Sequence, residues 1–497
     1  MLNSKILTPM KKITYIIIVF ITFLGFQSCE KFLDVNPTSQ SIAIENQASD
    51  SVLYKSASEV EAALAGVYAD FRNEYFELDY FVNGDAQSDD AYAGADNPAN
   101  FQIDDYTIDA TNSNVSRDWA YLYSAIGKAN SVINNVDEVT DLELTAARKS
   151  EIKAEAMFIR AYLYFYLVQQ WGDVPLQLTE VTTISIETLP EIFPILFPAR
   201  TPMADVYAKV ISDLESALPS LPATSINKGY ATKGAANAVL AKVYATMMPH
   251  DYAKVGQYCD AVIGGGYSLL PEFDQLWNNE QENSAESIFE VNYEGTSSSG
   301  NWGVSMFIGK DWKKFNIPSN DLVALFESEG DEIRMGSTIL FDDVSGVWSD
   351  NNWPQDHYPF INKYRNNSSP SSQNFIFLRL ADIILLKAEA LNEQGDVTGA
   401  AELVNQIRTR VGLANTTASN QADMRLAIEK ERRLELAFEG HRWFDLKRTG
   451  RAIQVLANTI GPDGTPYGYV LNENKLLWPI PQAELDKNTK LIQNPGY

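Results

Sequence analysis

The stretch Glu151-Ile-Lys-Ala-Glu-Ala-Met-Phe-Ile-Arg-Ala-Tyr-Leu-Tyr-Phe-Tyr-Leu-Val-Gln-Gln170 decides the fold class. Its apolar residues Ile152, Ala156, Ile159, Leu163 and Leu167 recur at steps of three and four, the spacing that aligns side chains on one face of an α-helix. Trp171-Gly172 follows, with Pro175 shortly beyond. Glycine readily takes the left-handed conformation that closes a helix, and proline cannot continue one, so the helix is expected to stop there.

The same pattern recurs outward in both directions. Thr201-Pro202 reads as an N-cap followed by proline at the first helical position, opening a helix through Val206, Val210, Leu214 and Leu218. Thr232 opens another, in which Ala235, Ala236, Ala238, Ala241 and Ala245 allow close helix–helix approach. Phe377 to Gln394 continues the series and ends at Gly395. Thr398 is expected to cap a partner helix through Val404, Ile407 and Val411. Asn420, with Asp423 three residues on, opens a helix running to Phe438. Paired helices joined by short turns resemble tetratricopeptide hairpins, although no clean period of about 34 residues is present. Between Gly264 and Asn374 the pattern changes to Gly, Ser, Asn, Asp and Trp broken by short apolar runs, as expected of loops and short strands set into a helical frame. No low-complexity linker divides the chain. The expected architecture is therefore a mainly α, tetratricopeptide-like helical-repeat scaffold with an irregular loop-rich insert, all in a single compact domain. Its expected portions are 29–263, the insert 264–374 and 375–497.

The N-terminus carries different information. Met10, Lys11 and Lys12 precede an apolar run of 14 residues, Ile13 to Phe26. That is too short to span a hydrocarbon core of roughly 30 Å and suits a signal-peptide core. Gly25 and Ser28 lead into Cys29, so 1–28 reads as a lipoprotein signal peptide and Cys29 as the lipidation site. Phe26 and Gln27 depart from the usual lipobox, which leaves an ordinary secretory signal as the alternative. The formal charge of the chain is −26, and the signal removes three lysines and no acid. A chain of that sign repels nucleic acid, so no nucleic-acid partner is expected. With Cys29 acylated, Cys259 is alone, and the histidines His250, His357 and His441 lack ligand spacing. Neither a disulfide framework, a metal site nor a cofactor is expected. Asp85-Ala-Gln-Ser-Asp-Asp90 offers hard oxygens but not calcium-loop spacing, and reads as a solvated acidic loop.

Several longer blocks resemble one family. Cys29-Glu-Lys-Phe-Leu-Asp34, Lys153 to Tyr166 with Trp171-Gly-Asp-Val-Pro175, Arg379 to Ala390, and Asn405-Gln-Ile-Arg-Thr-Arg410 are similar to the SusD/RagB outer-membrane lipoproteins of Bacteroidetes. So are Glu431 to Arg448, Leu477-Trp-Pro-Ile-Pro481 and Gln493-Asn-Pro-Gly-Tyr497. The resemblance implies a surface glycan-binding protein, lipid-anchored in the outer membrane and facing the cell exterior. It also implies a SusC-like TonB-dependent transporter as partner, receiving the captured ligand.

Tryptophan placement suggests where ligand sits. Trp119, Trp171, Trp443 and Trp478 lie in helical or scaffold blocks, where filling a core is the expected role. Trp277, Trp302, Trp312, Trp348 and Trp353 all fall in the insert. Sugar rings present apolar C–H faces that stack on aromatic planes, while nearby polar side chains serve the hydroxyls. His357, and Tyr92 and Asp89 from a second polar-aromatic loop at Tyr80 to Tyr92, complete the expected ligand-binding set. The dense charges Glu431, Arg432, Arg433, Glu435, Arg442 and Asp445 read as scaffold ion pairs, such as Glu429 with Arg433, and Arg160 and Asp173 likewise. No catalytic residues are expected, because nucleophile-elbow, zincin and P-loop spacings are absent. A surface peptide-binding protein of the same transport system is the alternative, and a glycoside hydrolase the remote one, since paired carboxylates occur by chance among 65 acids.

Overall fold

The structure is a computed structural model and describes residues 52–94, 97–181, 188–308, 310 and 314–497. The expected signal peptide, Cys29 and Trp312 lie outside those residues.

The helix at 151–170 becomes the centre of the molecule. Helix α1 spans Ala57–Ala69, α2 Pro98–Asp104, α3 Ser113–Asn135 and α4 Ala146–Trp171. Thr145 caps α4 by accepting from the Arg148 amide, and Gly172 closes it at φ 75°. From Phe158 to Trp171 every residue of α4 is buried, not one face alone. A helix buried all round must be covered by other elements on all sides. α3 packs on one flank and α6 (Met203–Ala217) on another, after the short α5 (Leu189–Leu196). Arg160 ties the three together, donating to Asp213 at 2.8 and 2.9 Å and to Asn130 at 2.7 Å. α6 begins one residue later than the sequence suggests, and its first amide bonds to the Asp173 carboxylate at 2.8 Å. Asp173 and Arg160 are thus scaffold.

The remaining scaffold repeats this antiparallel packing. α7 (Lys233–Thr246) and α8 (Tyr252–Ile263) form a hairpin, with the alanines of α7 buried. α8 packs on α12 (Leu380–Glu393), which is covered in turn by α13 (Val397–Arg410) and α14 (Gln421–Leu436). Asn420 caps α14 by accepting from the Asp423 amide, as expected. Asp396 rather than Thr398 caps α13. The short helices α15 (Arg442–Arg448), α16 (Ala452–Leu456) and α17 (Gln482–Lys487) complete this half.

The insert is irregular but firmly joined. Strand β2 (Ser287–Val291) pairs antiparallel with β6 (Phe375–Arg379), with Val291 opposite Phe375. That ladder makes Phe377–Arg379 a strand where the sequence suggests helix. Strand β1 (Ala91–Tyr92) pairs with β3 (Ile317–Pro318), and β4 (Ile339–Asp342) with β5 (Tyr358–Ile361). Helices α9 (Gly303–Ile308), α10 (Asn320–Glu329) and α11 (Glu332–Thr338) fill the gaps. One apolar cluster runs from Val60 through Phe307 and Phe375 to Leu491, so insert and scaffold share a core.

Two expectations need correction. The segment Tyr80 to Asp90 is not a solvated loop: it is wound into wide helical turns and buried throughout. Two of its acids, Asp89 and Asp90, are matched by arginines of the 431–442 block, while Asp85 accepts from Asn316 and from the Gly440 amide. Asp89 accepts two bonds from Arg442 at 2.7 and 2.9 Å, and Asp90 one from Arg433 at 2.7 Å. Glu429 accordingly pairs with Arg442 and Arg451, not with Arg433. Beside them Arg379 joins Glu286, Glu435 and Glu439 at 2.6–3.0 Å, and Arg334 joins Asp331 and Glu431, all fully buried. Opposite charges in contact, with hydrogen bonds to each, are what make such burial tolerable.

Candidate ligand-binding cleft

The β1–β3 pairing brings the N-terminal half beside the insert, and the aromatic residues of both gather there. Tyr92 of β1 and Tyr358 of β5 both donate to the same Asp350 oxygen, at 2.9 and 2.7 Å. Lys314 donates to the Trp348 carbonyl at 2.7 Å, and its ammonium lies 5.4 Å from the Trp348 ring centre. Trp348 itself is 45% exposed, an outlying aromatic plane held at its backbone. Trp353 is half-buried, donating to the Pro318 carbonyl at 3.1 Å. Phe341 stands between Trp353 and the exposed His357, stacked on the imidazole at 4.0 Å.

Next to this group opens a cleft of about 480 Å³, lined by Tyr92, Phe101, Asp104, Asn352, Tyr467 and Tyr469 among others. Tyr467 and Tyr469 sit with ring centres 5.3 Å apart, and Tyr469 meets the buried Tyr106 edge-on. Asp104 accepts from the Ala93 amide at 3.0 Å and from the Tyr469 hydroxyl at 3.3 Å. Burial pushes its carboxyl up to about 8, against the smaller opposing pull of those hydrogen bonds. At neutral pH Asp104 is therefore protonated and can donate as well as accept. Aromatic walls with a few fixed donors and acceptors suit a polyhydroxylated ligand whose ring faces are apolar.

The expected residues divide between this region and the interior. Tyr92, Trp348, Trp353 and His357 come together around β1, β3 and the β4–β5 hairpin. Trp302 precedes α9 and is half-buried against the main core. Trp277 is withdrawn as a ligand contact: it is 2% exposed, packed on Phe273 with the Lys363 ammonium 4.5 Å from its ring. Asp89 is withdrawn as well, because both its oxygens are taken by Arg442. Burial alone would raise its pKa, but Arg433 and Arg442 outweigh it and hold the carboxyl at about 2. Phe101, Asp104, Tyr467 and Tyr469 are additions. The run Asp463-Gly-Thr-Pro-Tyr-Gly-Tyr469 has the same polar-aromatic composition that marked the insert, so that signal could have found the tyrosines. Among the described residues no group of three or more His, Cys, Asp or Glu is placed to hold a metal ion.

Known proteins resemble this chain along most of its length. The SusD family model matches residues 335–497, and a second, described as starch-binding and associating with the outer membrane, matches 31–245. The SusD-like protein P2 of Formosa agariphila is 28% identical over 535 residues, covering 98% of this chain and 99% of the relative. The starch-binding protein SusD of Bacteroides thetaiotaomicron is 24% identical, covering 76% of this chain and 78% of the relative. Among solved structures, a laminarin-binding SusD-like protein superposes with TM-score 0.71 at 28% identity, over 89% of this chain and 100% of that one. A SusD homolog from Bacteroides thetaiotaomicron, at 23% identity, shares the fold with TM-score 0.75 over 89% and 97%.

Proposed function

Because this chain belongs to the SusD/RagB family, we propose that it is a non-catalytic cell-surface glycan-binding lipoprotein that passes its ligand to a SusC-like TonB-dependent transporter. In this reading Cys29 carries the lipid that holds it in the outer membrane, with the body facing outward. The observation that carries the binding assignment is the half-exposed Trp348 plane beside a cleft walled by Tyr92, Phe101, Tyr467 and Tyr469. A sugar ring stacks on such planes, while Asn352, the protonated Asp104 and the Tyr467 hydroxyl are available to its own hydroxyls. The laminarin-binding and starch-binding relatives support the same ligand class and do not choose within it.

Affinity electrophoresis against a polysaccharide panel that includes laminarin and starch tests the reading. At least one polymer is expected to retard the protein, and Trp348→Ala or Tyr467→Ala should weaken that retardation roughly tenfold in affinity, the size of one lost stacking contact. Binding to peptides alone, measured by calorimetry, would move the ligand class. Release of shorter oligosaccharides by the purified protein would overturn the non-catalytic assignment. Co-purification of a TonB-dependent transporter from detergent-extracted outer membranes tests the partner.

A further inference from the structure

A second cavity, of about 280 Å³, shares no lining residue with the cleft. It opens where the end of α1, strand β2 and the turn before α7 meet. Phe71 and Phe289 are its buried base, edge-on to each other at 5.4 Å. Tyr230, 47% exposed, stands beside them with its ring edge-on to Tyr68 at 5.0 Å. The Tyr68 hydroxyl is engaged inside the fold, donating to Glu155 at 2.7 Å and accepting from the Ala231 amide at 3.0 Å. Tyr230 thus leans on a fixed wall and keeps its own ring plane in reach of solvent.

The polar groups of this cavity are oriented but not saturated. The Asn292 side-chain oxygen accepts from Asn283 at 3.1 Å and from Asn374 at 2.5 Å, which fixes its amide nitrogen as the donor to Asn227. The Asn227 oxygen also accepts from the Gly229 amide at 2.8 Å, and its amide nitrogen is left without a partner among the described residues. Arg72 is held through Nε, which donates to the Asn292 carbonyl at 3.1 Å. Its two terminal nitrogens have no hydrogen-bond partner among the described residues, nor has the carboxylate of the exposed Glu294.

These groups narrow the ligand. Sugar hydroxyls need donors and acceptors together, and the apolar face of the ring needs an aromatic plane. Arg72 and Asn227 supply the first, Glu294 the second and Tyr230 the third. An anion would meet Glu294 in a strongly acidic chain, and a purely apolar group would leave the fixed donors desolvated and unpaired.

We propose that this cavity is a second contact for a neutral glycan, with one sugar ring against Tyr230 and its hydroxyls on Arg72, Asn227 and Glu294. This rests on the glycan-binding reading above. A polymer engaged at both places binds more tightly than at either alone, because the second engagement is intramolecular.

The test reads retardation of the full mature chain in gels holding laminarin or soluble starch, both neutral glucose polymers. Tyr230→Ala with Arg72→Gln should weaken retardation by the polymer that binds about tenfold or more, with an unchanged melting temperature, because both side chains are exposed. Tyr230→Phe alone keeps the ring and should bind as wild type does. Calorimetry with the matching glucose hexasaccharide should find two sites on each wild-type chain, a measurement that needs no variant, and one on the Tyr230→Ala, Arg72→Gln chain. Equal retardation of that chain, or a single hexasaccharide site on wild type, overturns the second contact and leaves the cleft standing. If neither glucan retards wild type the second contact also falls, while another polymer of the panel that does so leaves the cleft reading intact. Retardation by no polymer at all overturns both.

Discussion

Asp89 and Asp104 lie within fifteen positions of each other and serve opposite ends. Asp89 meets two guanidinium groups and is held ionised, whereas Asp104 has amide and phenol partners only and is held protonated. Asp89→Asn leaves Arg433 and Arg442 short of a buried counter-charge, and should cost about 3 kcal/mol of stability in chemical denaturation. Glycan affinity of the folded fraction should stay at the wild-type value, which separates scaffold from site. For Asp104 the sign is reversed. Its folded pKa of about 8 lies above the usual carboxylate value, so the folded state keeps a proton that the unfolded chain releases between about pH 4 and 8. Stability from this group is complete below about pH 4 and is lost as pH rises toward about 8. Asp104→Asn mimics the protonated acid. It should match wild type at or below about pH 4 and exceed it at about pH 8 by about 1 kcal/mol or more, measured as melting temperature across that range.

At the scale of elements, the wide helical turns of Val82–Ala86 lie against the backbone that leads into α15. A Cβ added at Gly84 would stand 2.3 Å from the Gly440 carbonyl oxygen, and Gly440 itself holds φ 74° under the Tyr80 ring. Neither backbone can yield without dragging its element. Gly84→Ala is therefore expected to destabilise by about 1–3 kcal/mol or more, with a lowered melting temperature. The same junction explains why the 431–442 block is so densely charged. Its arginines reach Asp89 and Asp90 on one side, and its glutamates reach Arg334, Lys363 and Arg379 on the other. That double linkage fixes the insert to the helical scaffold and so fixes β3 and its partner β1, whose Tyr92 lines the cleft.

For the whole molecule, buried carboxyls of both kinds shape the response to pH. Asp382, Glu435 and Glu439 are buried and Asp445 is half-buried, which opposes ionisation, yet neighbouring Lys and Arg hold each below the ordinary carboxylate value. Their contribution is present above about pH 4 and disappears as pH falls through the folded values. Glu77 joins Asp104 at about 8, chiefly through burial. Melting temperature should thus peak in mildly acidic solution and decline on both sides, checked by scanning calorimetry from about pH 3 to 9. A flat alkaline limb would contradict the burial of Glu77 and Asp104. Export is a property of the whole chain too. Labelled fatty acid should enter the wild-type protein and not Cys29→Ser, with glycan retardation the same for both, since the cleft is built from residues 92–470.

By itself the sequence determined what neighbours within a few residues control. The periodicity of 151–170, the cap at Asn420 and the change of composition after Gly264 were legible because helical register and capping act over one or two turns. The scaffold role of the 431–448 charges was legible from the apolar residues among them. Which polar and aromatic side chains face water was decided only by the tertiary structure. Composition could not separate Trp277, stacked under Lys363, from Trp348, which stands in solvent. Nor could it tell the paired Asp89 from the protonated Asp104. The physical reason is separation along the chain. The partner that buries Asp89 is Arg442, 353 positions away, and the tyrosine that meets Asp104 is 365 positions away. The free energy of a charge in the interior depends on those partners and not on its sequence neighbours.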